Sequence, residues 1–147
     1  MSEDDFNARV TRKALAEHAR VFDFSYGTPR EPLDAAVAGA SDILLDIDIQ
    51  GARQIRAKYS SDSVTIFVLP PSFAELEGRL RGRGTDSDAA IAHRLRRARE
   101  EAAAFAEYDY LLINERIDDS ISQLAGIVGA ERLKVGRLGA DFSPWKS

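Results

Sequence analysis

The 147-residue sequence predicts an α/β protein in which helices cover a parallel β-sheet. The first observation is three short apolar runs, Ile43–Ile47, Val64–Leu69 and Tyr110–Ile113. Each run places apolar residues on both faces, which is typical of strands covered on two sides. The second observation is that stretches with helical periodicity lie between and after these runs. This alternation predicts a layered fold with right-handed crossovers.

Three amphipathic helices are predicted in this layered core. The stretch PSFAELEGRLRGR begins with a capping-box pattern, since Ser72 is followed three residues later by Glu75. DAAIAHRLRRAREEAAAF and the region after residue 116 have the same helical spacing of apolar residues. The apolar faces are Phe73, Leu76 and Leu80; Ile91, Leu95, Ala98, Ala102 and Phe105; and Ile117, Ile121, Leu124 and Val128.

The first forty residues predict a small subdomain that is separate from the main sheet. EDDFNARVTRKA predicts a short helix, LAEHARVF an exposed strand and SYGTP a turn. A further helix is expected from Arg30 to about Ala38. Residues after Leu138 have no periodicity, so a loosely held tail is expected there.

Composition limits the classes of function. The length suits one domain, and a net charge of −4 argues against a general nucleic-acid binder. The chain has no cysteine, which excludes disulfides and thiolate metal sites. No apolar run approaches the roughly 18 residues that cross a bilayer, and the acidic start MSEDDFNARV is unlike a signal peptide. We therefore expect a cytoplasmic protein with no membrane or nucleic-acid partner.

Two carboxylates, Asp46 and Asp48, follow the first predicted strand. Ligands of open α/β sheets bind beyond the carboxyl ends of strands, and residues two apart share a strand face. The pair could hold Mg²⁺ through water or accept hydrogen bonds from a ligand. The alternative is structural, with Asp46 at a strand end and Asp48 capping the next helix.

Arginine is concentrated in one predicted helix–loop–helix. Arg83 lies between Gly82 and Gly84, so its loop can move. Planar, permanently charged guanidinium groups on such a loop suit phosphate. The alternative is a solvated basic face with ion pairs four residues apart, such as Arg97 with Glu101. The arginines are Arg79, Arg81, Arg83, Arg94, Arg96, Arg97 and Arg99.

Glu17 is a candidate for reading a purine base. A carboxylate has two acceptor oxygens, which can pair with the adjacent N1–H and N2–H₂ donors of guanine. Tyr26 and Thr28 offer hydroxyls for the base or a phosphate. The alternative is that Glu17 is a solvated residue on a strand edge.

Five segments of the chain together resemble the guanylate kinase family in order and spacing. The resemblance runs from about Glu3 to Leu133. The segments are LAEHARVF with YGTPRE, ILLDIDIQGARQIR, FVLPPSFAELEGRLRGRGTDSDAAIAHRL, EYDYLLIN and IVGAERL. The fold that the resemblance implies is a P-loop nucleoside monophosphate kinase-like parallel sheet with helices on both faces.

The resemblance implies a role for each matching residue. Glu17, Tyr26, Thr28 and Asp48 match GMP-binding positions, and Asp46 matches an acid that supports Mg²⁺ through water. Arg83 and Arg94 match catalytic lid arginines that clamp phosphates, Arg83 also facing ATP. Asn114 matches an asparagine beside the adenine of ATP.

The implied reaction is Mg²⁺-dependent transfer of the ATP γ-phosphoryl group to GMP, which gives GDP and ADP. The implied organisation is a partial GMP-binding subdomain at 1–40, a core at 41–81 and 95–137, a lid at 82–94 and a tail at 138–147. The resemblance does not indicate an oligomeric state.

The 147 residues lack several features of the family, among them the segment whose serine and paired arginines hold the GMP phosphate and the tyrosine after it. The glycine-rich phosphate loop, G-x-x-x-x-G-K-[ST], and the N-terminal strand before it have no counterpart here. We therefore expect a truncated fragment of a longer chain, poorly stable and with negligible kinase activity by itself. The alternative function is a non-catalytic guanylate kinase-like domain that binds GMP or a phosphorylated protein partner.

Overall fold

The computed structural model describes residues 1–21, 24–39, 41–82, 84 and 87–137 of the chain. Backbone contacts divide it into two compact units, Met1–Thr65 and Ile66–Ser147. The bounds predicted for the GMP subdomain, core, lid and tail remain predictions. The tail and Arg83 lie outside the described residues.

The first unit joins an antiparallel strand pair to helices. Strand β1 pairs with β2 from Glu17 opposite Thr28 to Val21 opposite Phe24, with an irregularity between Leu15 and Glu17. The unit packs Ala16 of β1 against Leu33 and Ile55 from two helices. The elements are α1 (Glu3–Thr11), β1 (Leu15–Val21), β2 (Phe24–Pro29), α2 (Arg30–Gly39) and α3 (Ile49–Lys58).

Two predictions for this unit are wrong. The strand predicted to be exposed, β1, has most of its residues buried, because α3 packs along it. SYGTP is not a turn but the body of β2, and its backbone pairs with β1 along the whole strand. The strand is exposed along most of its length, and Thr28 is its half-buried residue. The helices α1 and α2 lie where they were predicted.

The predicted strand Ile43–Ile47 is also wrong, because residues 41–48 form no regular secondary structure. A strand needs backbone hydrogen bonds to a neighbour. The described strands pair as β1 with β2 and β3 with β4. Leu45 and Ile47 nevertheless pack against the core of the unit, whereas 77 % of Leu44 is exposed. The segment therefore alternates sides like a strand without being hydrogen-bonded as one.

The second unit contains a parallel strand pair and three α-helices among its described residues. Strand β3 pairs with β4 from Ile66 opposite Tyr110 to Leu69 opposite Ile113, which confirms the parallel pairing predicted from the apolar runs. The elements are β3 (Ile66–Leu69), α4 (Phe73–Gly82), α5 (Asp88–Ala102), a 3₁₀ helix (Ala103–Glu107), β4 (Tyr110–Ile113), α6 (Ile117–Arg132) and a second 3₁₀ helix (Val135–Arg137).

The helices of the second unit begin as the sequence predicts. The hydroxyl of Ser72 accepts a hydrogen bond from the Glu75 N–H at 3.1 Å, as in a capping box. Leu80 and Ile91 are buried. In contrast, Ile117 and Ile121 on the predicted apolar face of α6 are 64 % and 58 % exposed. No helix in the described part of the chain is long and apolar enough to cross a bilayer.

Candidate functional site

Glu17 is a buried carboxylate at the centre of the first unit. Only 3 % of the residue is exposed, so the alternative interpretation of Glu17 as a solvated edge residue is wrong. Its Oε1 accepts a hydrogen bond of 2.6 Å from the Thr28 hydroxyl across the β1–β2 pair. The register explains this contact, since Glu17 and Thr28 are directly opposite and share a sheet face.

The charge environment of Glu17 is unusual for a purely structural acid. Buried carboxylates are normally paired with a cation, because desolvation of the charge is costly. Among the residues that the structure describes, Thr28 is the donor to Glu17 and no lysine or arginine forms an ion pair with it. The two acceptor oxygens of such a carboxylate suit a ligand with N–H groups.

Tyr26 lies on β2, two residues before Thr28, and so projects from the same face of the strand. It is 56 % exposed, and its ring meets that of Phe24 edge to face at 6.5 Å. The structure therefore brings Glu17, Thr28 and Tyr26 onto one face of the β1–β2 pair. The Tyr26 hydroxyl is accessible to a ligand.

Asp48 is the N-cap of α3. Its Oδ1 accepts a hydrogen bond of 2.9 Å from the Gly51 N–H, and its Oδ2 accepts one of 3.0 Å from Gln50 Nε2. The capping alternative for Asp48 is therefore confirmed, which leaves its predicted contact with GMP untested. The prediction that Asp46 and Asp48 share a strand face is wrong, because residues 41–48 do not form a strand. Asp46 is exposed and Asp48 is half-buried.

Asp46 has the chemistry of a single-carboxylate magnesium ligand. It is exposed, and within the described residues its carboxylate takes no hydrogen bond or ion pair from the protein. The same residues contain no cluster of three or more acidic, histidine or cysteine side chains that could form a metal cage. Mg²⁺ commonly binds through one carboxylate, waters and substrate phosphates. Asp46 therefore offers one carboxylate of the kind that such an ion takes together with waters.

The two remaining described candidates belong to the second unit. Asn114 follows β4, and its Oδ1 accepts a 3.1 Å hydrogen bond from the Ser120 hydroxyl of α6. Arg94 is half-buried on α5 and takes part in an interaction within the protein. Arg83 lies outside the described residues, whereas the neighbouring Gly84 has a φ of +65°.

Several arginines of the predicted basic segment have structural contacts. Arg79 donates to the Asn114 and Glu115 carbonyls at 2.9 and 3.2 Å, and its Nε lies 2.8 Å from Glu75 Oε1. Arg97 pairs with Glu101, as the alternative interpretation predicted. Arg79 therefore fixes the backbone that carries Asn114, a contact that sequence spacing could not show.

Two polar residues of α3 that sequence reasoning missed bind the outer edge of β1. Gln54 Nε2 donates to the His18 carbonyl at 2.7 Å, and its Oε1 accepts from the His18 N–H at 3.2 Å. Lys58 Nζ donates to the Ala16 carbonyl at 2.6 Å. Their spacing of four residues places both on one helix face, which was the available signal.

A second buried carboxylate, Glu131, lies in the second unit away from the predicted residues. It accepts hydrogen bonds from Tyr110 at 2.5 Å and forms ion pairs with Lys134 at 2.6 Å and Arg137 at 3.3 Å. Hydrogen bonding to Lys134 and Tyr110 lowers the pKa of the Glu131 carboxyl. The same bonds raise the pKa of Tyr110 and of Lys134. This cluster joins the start of β4 to the end of α6.

Comparisons with known proteins agree with the resemblance. The family model described as guanylate kinase matches residues 1–131. Guanylate kinases of Rhodospirillum rubrum and Nitrobacter winogradskyi are 51 % and 49 % identical over 123 and 134 residues, which is 84 % and 91 % of this chain. The chain spans 56 % and 61 % of the length of these two relatives.

A solved structure gives the same result for the fold. The crystal structure of guanylate kinase from Anaplasma phagocytophilum superposes with a TM-score of 0.81 and is 31 % identical, covering 93 % of this chain and 66 % of that one. The predicted fold class is thereby confirmed, although the parallel sheet has two strands among the described residues. On the family match and these similarities, the chain belongs to the guanylate kinase family.

Proposed function

We propose that the protein is a guanylate kinase that transfers the γ-phosphoryl group of ATP to GMP with Mg²⁺. The observation that carries this proposal is Glu17, a buried carboxylate whose described hydrogen-bond donor is a hydroxyl. Oε1 and Oε2 together offer acceptors for the N1–H and N2–H₂ groups of guanine. Membership of the family supports the same substrate.

The residues of the first unit would bind GMP. Glu17 would accept from the guanine edge, Thr28 would hold that carboxylate through its 2.6 Å hydrogen bond, and the exposed Tyr26 hydroxyl would donate to a phosphate or the base. Asp48 would add an acceptor for guanine while capping α3.

The residues of the second unit would bind ATP. Arg94 and Arg83 would neutralise charge on the phosphates, and Asn114 would bind the adenine. Phosphoryl transfer depends on positioning and charge stabilisation, which these side chains supply without a covalent intermediate. Asp46, which belongs to the first unit, would hold Mg²⁺ through water, and the bound ion would supply positive charge that neutralises phosphate. Closure of the lid that carries Arg83 would exclude water as a competing acceptor.

A titration with GMP tests the base site. The variant Glu17→Gln replaces one acceptor oxygen by a donor, and we expect it to weaken GMP binding roughly ten- to hundredfold, the range for one hydrogen bond to a charged group. Glu31→Gln removes an exposed carboxylate of α2 and serves as the matched control. Equal GMP affinity in the wild type and in Glu17→Gln would refute the assignment of Glu17.

A coupled assay of ADP and GDP formation, run on the chain completed with a phosphate-loop segment of the family, tests the reaction. The alternative, a non-catalytic domain, predicts GMP binding without ATP-dependent GDP formation. We also predict negligible turnover by the 147 residues alone, since they contain no G-x-x-x-x-G-K-[ST] motif. Robust turnover by this exact chain would contradict that prediction while supporting the kinase assignment.

A further inference from the structure

Two α3 side chains hold the backbone on both sides of Glu17. The Ala16 carbonyl belongs to the peptide group before Glu17, and it accepts from Lys58 Nζ at 2.6 Å. The His18 N–H belongs to the peptide group after Glu17, and it donates to Gln54 Oε1 at 3.2 Å. Gln54 also donates to the His18 carbonyl at 2.7 Å.

The geometry of a helix beside a strand explains why both contacts form. Four residues of helix advance about 6 Å, and two residues of strand advance about 6.6 Å. The distance along α3 from Gln54 to Lys58 therefore nearly equals the distance along β1 from His18 to Ala16. Each helix residue can thus reach its own strand residue. The amide of Gln54 makes the pair of hydrogen bonds that a neighbouring strand would make to His18.

This arrangement fixes the direction of the Glu17 side chain. The two peptide groups that flank a residue determine where its Cβ points. With both held from α3, and with Thr28 bonded to Oε1, the carboxylate has little freedom to turn. A preorganised acceptor loses less entropy on binding a ligand than a mobile one.

We propose that Gln54 and Lys58 are positioning residues that set the preference of the site for guanine by fixing the peptide groups on either side of Glu17. This inference rests on the proposed function, because it assumes that Glu17 contacts the base. The substrate class that it concerns is purine nucleoside monophosphates with a 2-amino group, as opposed to those without one.

The experiment compares GMP with IMP, which lacks the 2-amino group, in titrations of the chain followed by NMR. The variants are Gln54→Met, Lys58→Met and Lys58→Arg. Methionine matches the length of glutamine, is one atom shorter than lysine, and removes the hydrogen bonds of either side chain. Arginine at position 58 restores a donor to the Ala16 carbonyl. Arg56→Met, an exposed change on the same helix, is the control.

We expect Gln54→Met and Lys58→Met to reduce the ratio of GMP to IMP affinity by about fivefold or more, since a displaced carboxylate no longer favours the 2-amino group. Lys58→Arg should recover most of the ratio and Arg56→Met should leave it unchanged. Exchange of the His18 amide proton should quicken in Gln54→Met without any nucleotide. A merely structural role would weaken GMP and IMP equally and leave the ratio unchanged.

The two possible failures are distinguishable. A wild-type chain that binds GMP no better than IMP would overturn the proposed function, and the inference with it. A wild-type chain that prefers GMP, with the same preference in both methionine variants, would overturn the inference alone. If Gln54→Met does not fold, the pair Lys58→Met and Lys58→Arg decides the question.

Discussion

A Cβ atom placed on Gly51 would lie 2.6 Å from Oε2 of Glu17 and 3.3 Å from Cβ of Ile47. The first turn of α3 and the buried carboxylate therefore approach each other so closely that a Cβ at position 51 would force the carboxylate to shift. This close approach explains why position 51 is occupied by glycine, and the explanation does not depend on the φ and ψ angles there.

Gly51→Ala should displace the Glu17 carboxylate. The methyl group would push the far end of the side chain away from Thr28, and we expect the free energy of unfolding to fall by about 1–2 kcal/mol. GMP affinity should fall by at least about tenfold, which corresponds to the loss of one hydrogen bond to a charged group. Urea denaturation and GMP titration measure the two effects.

The control for this change is Gly78→Ala. Gly78 lies in α4, and an added Cβ there meets nothing within 4 Å. The variant should keep wild-type GMP affinity. A loss of affinity as large as that of Gly51→Ala would show that the effect does not come from contact with Glu17.

Variants of Asp48 separate its capping role from its proposed contact with GMP. Asp48→Ala removes the acceptor of the Gly51 N–H, and loss of such a cap costs about 1 kcal/mol. Asparagine caps helices as well as aspartate does, so Asp48→Asn should keep the stability. It should nevertheless bind GMP more weakly, because its amide nitrogen cannot accept from guanine. Wild-type GMP affinity in Asp48→Asn would leave Asp48 as a helix cap alone.

Local sequence signals predicted the helices and the parallel strand pair of the second unit. The helix beginning after Ser72 and the strand Tyr110–Ile113 lie where capping and apolar patterning placed them. The parallel pairing of β3 with β4 followed from the same apolar runs. Helices satisfy their own backbone, so their positions depend little on the rest of the chain.

The errors concern features that periodicity within one segment does not report, namely what the segment pairs with and what covers it. Whether Phe24–Pro29 is a turn or a strand is decided by its pairing with β1, and the burial of Glu17 is decided by α3. Gln54 could be assigned to a helix, but its contact with His18 spans 36 positions of sequence. Only the fold brings these residues together, so periodicity within one segment could not predict the contacts around the candidate site.

Two glycines with open surroundings should respond to alanine with opposite signs. Gly126 lies inside α6, and Gly84 has a φ of +65°; an added Cβ meets nothing within 4 Å at either position. Gly126→Ala should raise the free energy of unfolding by about 0.5–1 kcal/mol, since alanine favours the helix. Gly84→Ala should lower it by about 1 kcal/mol, since a positive φ is unfavourable with a side chain. Thermal and urea unfolding measure both, and equal shifts would contradict this explanation.

The Glu131 cluster should make stability depend on pH at both ends of the range. The pKa of Glu131 is lowered in the folded protein, so its contribution is present above the ordinary glutamate pKa of about 4.3 and is lost as the pH falls through the lower folded value. The pKa values of Lys134 and Tyr110 are raised, so their contributions are lost only as the pH rises past about 10.

Glu131→Gln is the variant that tests this cluster. It removes the charge but keeps the shape, so it should lower the free energy of unfolding at neutral pH and have a smaller effect under acid conditions, where the wild-type carboxylate is protonated. Urea unfolding from pH 3 to pH 8 measures the difference. Glu115→Gln, an exposed change in the same unit, is the control and should show no such dependence. A difference between wild type and Glu131→Gln that stays constant across this range would mean that the Glu131 charge does not stabilise the end of α6.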